Sequence, residues 1–379
     1  VSGSANRYVI GDALARVQLE LWHAAPLPPE RLDPGFLVVF DATWDGELLR
    51  DAELVWHQAA ANTTAEHEFA RLAWRGTGGH LAQRSAALAV VRSYFANRRF
   101  VEVETPTRVR SPGLDAHVEP IAAEGGWLVT SPELHLKRLL VGGLPRVFEV
   151  ARCHRAEELG RYHEPEFTLI EWYRAYEPVE AVMGDTEQLV QRVTQRLCGA
   201  TVIEHAGKRV RVEPPFARLS VAEAFRRYVN RSDGIELATQ DPDEWFRVWV
   251  DQIEPALAEF EVPVFIVDYP MPQAAMARPN SADPRVAERF ELYCAGVELC
   301  NGYGELTNPD EQALRMTAEV RSRVERGQPQ LPIDQHFLAA LREGLPPCSG
   351  NALGFDRLVM LATGAQTMAD VIGFPWERN

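Results

Sequence analysis

The stretch Arg289-Phe290-Glu291-Leu292-Tyr293-Cys294-Ala295-Gly296-Val297-Glu298-Leu299-Cys300-Asn301-Gly302 decides the fold class. Two β-rich runs flank Ala295-Gly296, and that spacing predicts an antiparallel hairpin closed by a two-residue loop. With such a loop Tyr293 faces Glu298 and Glu291 faces Cys300. Glu291 and Glu298 then stand diagonally on one face, roughly 7–8 Å apart along the backbone. Carboxylates so placed could close on a hard divalent cation, or they could be two exposed glutamates on an edge hairpin. Asn301 and Glu305 follow in a Gly-rich run, where missing side chains would let a small ligand approach the backbone.

Outward from this hairpin, strand signals fall at Phe100–Thr105, Gly126–Thr130, Val147–Arg155, Glu166–Tyr176, Val262–Asp268 and Ala352–Gly354. Helical spacing marks Ala82–Arg98, Glu133–Val141, Val179–Leu197, Val221–Tyr228, Glu244–Glu259, Asp310–Arg326 and Asp334–Arg342. Few strands are separated by a single crossover helix. An α+β fold, a mostly antiparallel sheet with helices packed on it, is therefore expected over a doubly wound one. Residues 1–58 read differently, as short strands at Arg7–Val17, Phe36–Phe40 and Glu47–Trp56 around the Pro-rich Ala25–Gly35. The chain is divided into a small β-rich unit at residues 1–76, a candidate reduced OB-like barrel, and a catalytic unit at residues 77–379.

Composition narrows the partners. The 379 residues carry 39 Lys+Arg against 54 Asp+Glu, a net charge of −15, so any nucleic-acid contact must be local. Apolar residues at 46% and charged residues at 25% describe a packed globular chain. Cys153, Cys198, Cys294, Cys300 and Cys348 show no metal-ligand spacing and read as reduced thiols. No apolar run approaches the roughly 20 residues that cross a bilayer, and a soluble cytoplasmic protein is expected.

Val147–Tyr176 reads as two strands joined by a polar loop. Equal parity puts Arg155 beside Glu157, and Phe167 with Glu171 and Tyr173, on one floor, unless the pair is simply a solvated hairpin laced with salt bridges. Ser349–Met360 reads as a strand, a glycine and an apolar helix. Arg357 falls in the first helical turn, where the macrodipole favours an acidic residue. Its guanidinium could stack on a flat base opposite Phe167, or pair with Asp356 or Glu311.

Three segments in order resemble the signature motifs of class II aminoacyl-tRNA synthetases: a helix and strand ending at Pro106, the Val147–Tyr176 hairpin, and Gly350–Arg357. Thr130-Ser131-Pro132-Glu133, His163-Glu164-Pro165-Glu166-Phe167, Glu298-Leu299-Cys300-Asn301-Gly302 and Gly354-Phe355-Asp356-Arg357 are similar to the lysine branch. Glu157–His163, Glu171-Trp172-Tyr173-Arg174, Arg285–Glu291 and Pro332-Ile333-Asp334-Gln335 resemble the truncated lysyl-tRNA synthetase paralogues that attach β-lysine to elongation factor P, the EpmA/GenX/PoxA group. The resemblance runs from about Leu81 to Phe374.

That resemblance implies ATP and Mg²⁺ as cofactors and a role for each matched residue. Arg155 would hold the α-phosphate, His163 with Arg161 the outgoing pyrophosphate, and Glu291 with Glu298 the metal. Phe167 and Arg357 would sandwich adenine, with Glu157 accepting from its amino group, and Ala156, Glu164, Leu299 and Gly354 would border the nucleotide. Ser131, Pro132 and Glu133 would line the amino-acid pocket. Glu171, Tyr173 and Glu305 would receive a side-chain ammonium, with Cys300, Asn301 and Ala352 beside them. A homodimer across Leu81–Pro106 is also implied.

The implied activity is adenylation of lysine or β-lysine and transfer to a lysine of elongation factor P or a related protein. The alternatives are tRNA charging, ligation to another protein or small amine, and a non-enzymatic sensor of an amino acid or nucleotide. Lysyl-tRNA synthetases usually have glycine where this chain has Cys300 and Ala352, and the translation-factor ligases have larger residues there. Three positions depart from the ligase pattern, His154, Ala156 and Glu164 standing where Phe, Asn and Asn are common. The ordinary truncated ligase lacks an N-terminal extension such as residues 1–76.

Overall fold

The computed structural model describes residues 5–11, 14, 16–22, 37–44, 48–58, 68, 70–115 and 117–378. The chain divides into two compact units, Val1–Ser85 and Ala86–Asn379, the division falling inside helix α1 (Thr77–Ala96).

In the first unit β1 (Ala5–Gly11), β2 (Arg16–Trp22), β3 (Leu37–Trp44) and β4 (Leu48–Gln58) form a sheet in the order β1-β2-β4-β3. Arg7–Val17, expected as one strand, is split between β1 and β2, which pair antiparallel from Ala5↔Trp22 to Gly11↔Arg16. β1 closes at Gly11 and β2 opens at Arg16. The Pro-rich 25–35 and residues 45–47 lie outside the described residues, as do residues 59–67 of the stretch 59–79, whose composition predicts a connector with a short helix; in its described part Ala70–Trp74 form a wide helical turn and α1 begins at Thr77.

The second unit is built on eight strands: β5 (Val101–Glu102), β9 (Arg146–His154), β10 (Glu166–Ala175), β13 (Ala217–Ser220), β14 (Val264–Pro270), β15 (Val286–Cys294), β16 (Val297–Gly304) and β17 (Cys348–Gly354). Their order is β13-β14-β15-β16-β17-β10-β9-β5. Only the outermost pairs, β13 with β14 and β5 with β9, run parallel. The expected mostly antiparallel sheet is what forms. Small sheets of β6 (Arg108–Val109), β7 (Ala122–Ala123) and β8 (Gly126–Leu128), and of β11 (Val202–His205) and β12 (Lys208–Arg211), lie beside it.

Helices α3 (Val179–Cys198) and α10 (Phe355–Thr363) cover one face of the sheet. Their apolar sides, including Val190, Val193, Val359 and Met360, pack with Ile170 and Trp172 of β10 in one buried cluster. The odd-numbered residues of β10 turn the opposite way. Buried on both faces, β10 is thus the central wall between a core and a cavity. Another buried cluster joins α2 (Glu133–Val141), α8 (Pro309–Glu325) and α9 (Gln335–Gly344) under the other face.

Helix ends follow local chemistry. Asn308 accepts from the amides of Asp310 and Glu311 with Pro309 in the first turn of α8, and Gly199, at φ 70°, ends α3 in the left-handed region. Val221–Tyr228 and Glu244–Glu259, expected as unbroken helices, contain wider turns. Between β13 and β14 the order is α4 (Val221–Ala224), a wide turn at Phe225–Val229, α5 (Gly234–Gln240), α6 (Pro242–Val248), a wide turn at Trp249–Ile253 and α7 (Glu254–Leu257). Trp245 and Trp249 stack there with ring centres 5.2 Å apart. No helix among the described residues is long and apolar enough to cross a membrane.

The β15–β16 hairpin turns at Ala295 and Gly296, at φ 52° and 78°, the doubly positive backbone that a two-residue turn of this twist requires. Tyr293 faces Glu298 as expected, but the register then slips: Leu292 faces Cys300 and Glu291 faces Asn301. Leu299 is the extra residue of a bulge, sunk into the core at 1% exposure. Glu291 therefore pairs with Asn301 and not with Cys300, because a strict two-residue period makes no allowance for an inserted residue.

Candidate active site

One cavity of about 840 Å³ opens on the face of the sheet opposite α3 and α10. Phe167, Glu171 and Tyr173 of β10 line it, as the parity of a straight central strand requires. Of the residues singled out in the sequence, Arg155, His163, Glu164, Arg357, Glu291, Glu298 and Leu299 join them, with Ser131, Glu133, Cys300, Asn301, Ala352 and Gly354. Ala156, Glu157, Pro132 and Glu305 do not line the cavity, nor does Arg161, whose guanidinium is tied to Gln366.

Glu157 departs because β9 ends at His154. The chain then turns with Glu157 at φ 62° and its side chain in solvent, so strand parity no longer applies. Glu158 takes the place on the lining, 3.5 Å from Arg155. Arg155 lies over the Phe167 ring at 5.0 Å, so the aromatic plate already carries a cation. Its Nε is buried without a hydrogen-bond partner. A donor so placed invites an anionic ligand.

Arg357 is held on three sides. Its Nε donates to Tyr162 O at 3.1 Å, Nη1 to Glu298 O at 2.9 Å, and Nη2 to His163 Nε2 at 2.8 Å. Its carboxylate neighbour is Glu298, at 3.4 Å, and not Asp356 or Glu311. Asp356 instead accepts from the Thr168 amide at 2.6 Å. Because guanidinium only donates, His163 Nε2 accepts and the ring proton sits on Nδ1. Burial and the Arg357 charge lower the His163 pKa, so His163 meets the cavity as a neutral donor.

Around the bulge, Glu291 accepts from Arg289 at 2.6 Å, Tyr269 at 2.6 Å and Tyr293 at 2.9 Å. Burial raises its pKa, and Glu298 raises it further against the pull of Arg289. Three of its four acceptor positions are filled, leaving one on the Arg289 side. With Glu298 this makes an all-oxygen donor pair that fits Mg²⁺, an ion that takes one or two carboxylates and completes its shell with phosphates and water. Among the described residues no group of three His, Cys, Asp or Glu side chains could hold a metal by itself.

The opposite end of the cavity is acidic. Glu171, 1% exposed, accepts from Ser131 and Tyr173 hydroxyls, each at 2.7 Å. No cation lies within ion-pair distance of it among the described residues. Burial, then the Glu133 charge, pushes its pKa up to about 8. Below it sits a group that the sequence reading missed. Lys137, 1% exposed, reaches Glu133 at 2.6 Å and Glu305 at 2.5 Å. Burial alone would lower its pKa, but these two carboxylates hold it above the ordinary lysine value. Glu305, fully buried, is thus met by an internal ammonium. The Glu133/Lys137 spacing on α2 was the available signal.

The glycines divide by role. A Cβ on Gly302 would meet the Phe290 ring at 2.3 Å, one on Gly304 the Glu288 carboxylate at 2.3 Å, and one on Gly350 the Tyr173 ring at 2.2 Å. These glycines make room for protein side chains, so the ligand approach expected at Gly302 and Gly304 is replaced by packing. Gly354 differs, its nearest neighbour being Arg357 Cδ at 3.5 Å. All five cysteines are free thiols.

A family model described as tRNA synthetases class II (D, K and N) matches residues 61–378.

Proposed function

The chain belongs to the class II tRNA synthetases of the D, K and N group, and on that premise we propose that it adenylates lysine or β-lysine and passes it to a lysine of elongation factor P or a related protein. The family makes it an ATP-dependent aminoacyl ligase. One observation supports the choice of amino acid. Glu171 is a buried carboxyl held only by hydroxyls, and its ionised form needs a counter-charge. Glu133, Glu171 and Glu305 against Lys137 leave two uncompensated negative charges when all are ionised. A lysine-like substrate carries two ammonium groups and a carboxylate, which matches that excess and leaves an acid group to react.

The acid group attacks the α-phosphorus of ATP, the bond to the β-phosphate oxygen breaks, and pyrophosphate leaves. Arg155 would take up the charge on the α-phosphate through its unpartnered Nε. Arg357, locked by its three partners, would offer a flat surface to the base without reorganising. His163 would donate one hydrogen bond to the departing phosphates. Glu291 and Glu298 would hold Mg²⁺, which supplies charge neutralisation on the phosphates when bound. The acceptor amine then attacks the mixed-anhydride carbonyl and AMP departs.

The choice of acceptor rests on bulk. Ala352 lies in register between Glu171 and Asn301, so its methyl group occupies the floor where lysyl-tRNA synthetases usually have glycine. The homodimer across Leu81–Pro106, the OB-like reading of residues 1–76 and a cytoplasmic location belong to the same proposal. ATP–pyrophosphate exchange over a panel of amino acids, followed by transfer with tRNA and elongation factor P offered side by side, tests it. Exchange with no amino acid would defeat the ligase reading, and transfer to tRNA alone would replace the acceptor.

A further inference from the structure

Arg323 of α8 is fully buried, does not line the cavity, and is spent on a loop more than two hundred positions earlier in the chain. Its Nη1 donates to the carbonyls of Asp115 and Val118, each at 3.0 Å, and its Nη2 meets the Glu119 carboxylate at 2.5 Å. The Glu119 carbonyl in turn accepts from the Ala156 amide at 2.8 Å. Ala156 directly follows Arg155, whose own amide is held by Pro165 O at 2.9 Å. Other α8 residues, including Gln312, Arg315 and Glu319, line the far wall of the same cavity.

We propose that Arg323 is a positioning residue for Arg155: through Glu119 it references the loop that carries the phosphate-binding arginine to the helix on the opposite wall. Beyond Arg155, whose amide Pro165 O holds, the chain leaves the sheet, and the Ala156–Glu119 bond fixes the backbone one residue further on. A guanidinium suits the task because its planar fork engages two carbonyls and a carboxylate at once, which an ammonium would do less rigidly. Arg323 does not touch the substrate, and its effect passes through the loop alone. The inference rests on the ligase reading only where it speaks of the phosphate.

The test compares Arg323→Met, Arg323→Lys and Glu119→Gln with the parent chain by hydrogen exchange and by ATP–pyrophosphate exchange. Arg323→Met should speed exchange of the Ala156 amide by about tenfold or more while amides within β10 keep their protection. In the same variant kcat should fall and KM for ATP should rise by about tenfold, with KM for the amino acid within about twofold of the parent. Arg323→Lys should recover part of both effects. If Arg323→Met does not fold, Glu119→Gln carries the comparison with smaller shifts of the same pattern. Unchanged protection at Ala156 in the folded variants would overturn the proposal, as would kcat and both KM values moving together. A parent chain inactive with every amino acid defeats the ligase reading, while hydrogen exchange still decides whether Arg323 holds the loop.

Discussion

Lys137 and Glu305 meet as a buried ion pair at 2.5 Å, with 1% and 0% of their side chains exposed. The pair matters because it accounts for one carboxylate of the acidic floor and leaves Glu171 as the one that lacks a cation of its own.

Lys137→Met should destabilise the fold by about 3–5 kcal/mol, since it strands two carboxylates without their counter-ion. The Lys137 pKa is raised in the folded chain, so its contribution is complete below the ordinary lysine value and fades only as pH rises through the folded one. Denaturant titration at neutral pH therefore reads it in full. The deficit should shrink on acidification, as Glu305, whose pKa burial raises to about 7, takes up its proton; a variant as stable as the parent at neutral pH would contradict the pair's role.

Arg155→Ala should lower kcat for adenylate formation by about 10²–10³-fold while the unfolding midpoint stays near that of the parent. Its guanidinium touches Phe167 and Glu158 at the cavity edge and carries no buried ion pair. Pyrophosphate exchange alongside a melting curve measures both, and full exchange activity would remove Arg155 from the phosphate site.

Glu171 predicts a pH dependence of amino-acid binding. Its carboxyl in the free protein, pushed up to about 8 by burial, is mostly protonated below about pH 7. A cationic side chain binds the ionised form, so apparent affinity should rise with pH between about 6.5 and 8.5, by at most about tenfold per unit. Glu171→Gln should flatten the profile at the weak limit, which calorimetry at several pH values would show.

Glu291→Gln together with Glu298→Gln should raise the Mg²⁺ concentration needed for half-maximal exchange by about tenfold or more. A metal titration that superimposes on that of the parent would place the ion elsewhere.

Two glycine substitutions should part company. Gly350→Ala drives a methyl group into the Tyr173 ring and should cost about 1–3 kcal/mol, with KM for the amino acid rising as the Tyr173–Glu171 bond is disturbed. Gly354→Ala meets nothing closer than 3.5 Å and should leave stability within about 0.5 kcal/mol, raising KM for ATP alone. Paired melting and kinetic measurements distinguish them.

Regular elements were legible where periodicity was uninterrupted. Helix α2 spans Glu133–Val141 as its spacing indicated, and the parity of β10 correctly set Phe167, Glu171 and Tyr173 on one wall. The same rule failed for Glu157, because a strand's end is fixed by tertiary pairing and not by alternation. It failed at Leu299 because a bulge leaves no mark in composition. Lys137 went unread because an i, i+4 pair on a helix ordinarily lies in solvent, and only the third partner, Glu305, reveals that it is buried. The resemblance located the motifs. Gly354, where an added Cβ would meet nothing closer than 3.5 Å, differs from Gly302 and Gly350, which yield to Phe290 and Tyr173.

The kink at Leu299 uncouples the tip of the β15–β16 hairpin from its root. Were the ribbon straightened with its turn intact, Cys300 would swing opposite Glu291 and Asn301 would rotate to the reverse side. Deleting Leu299 would instead leave Leu292 opposite Cys300 and Glu291 opposite Asn301, so the inserted residue is absorbed by the kink and the amide stays across from the carboxylate.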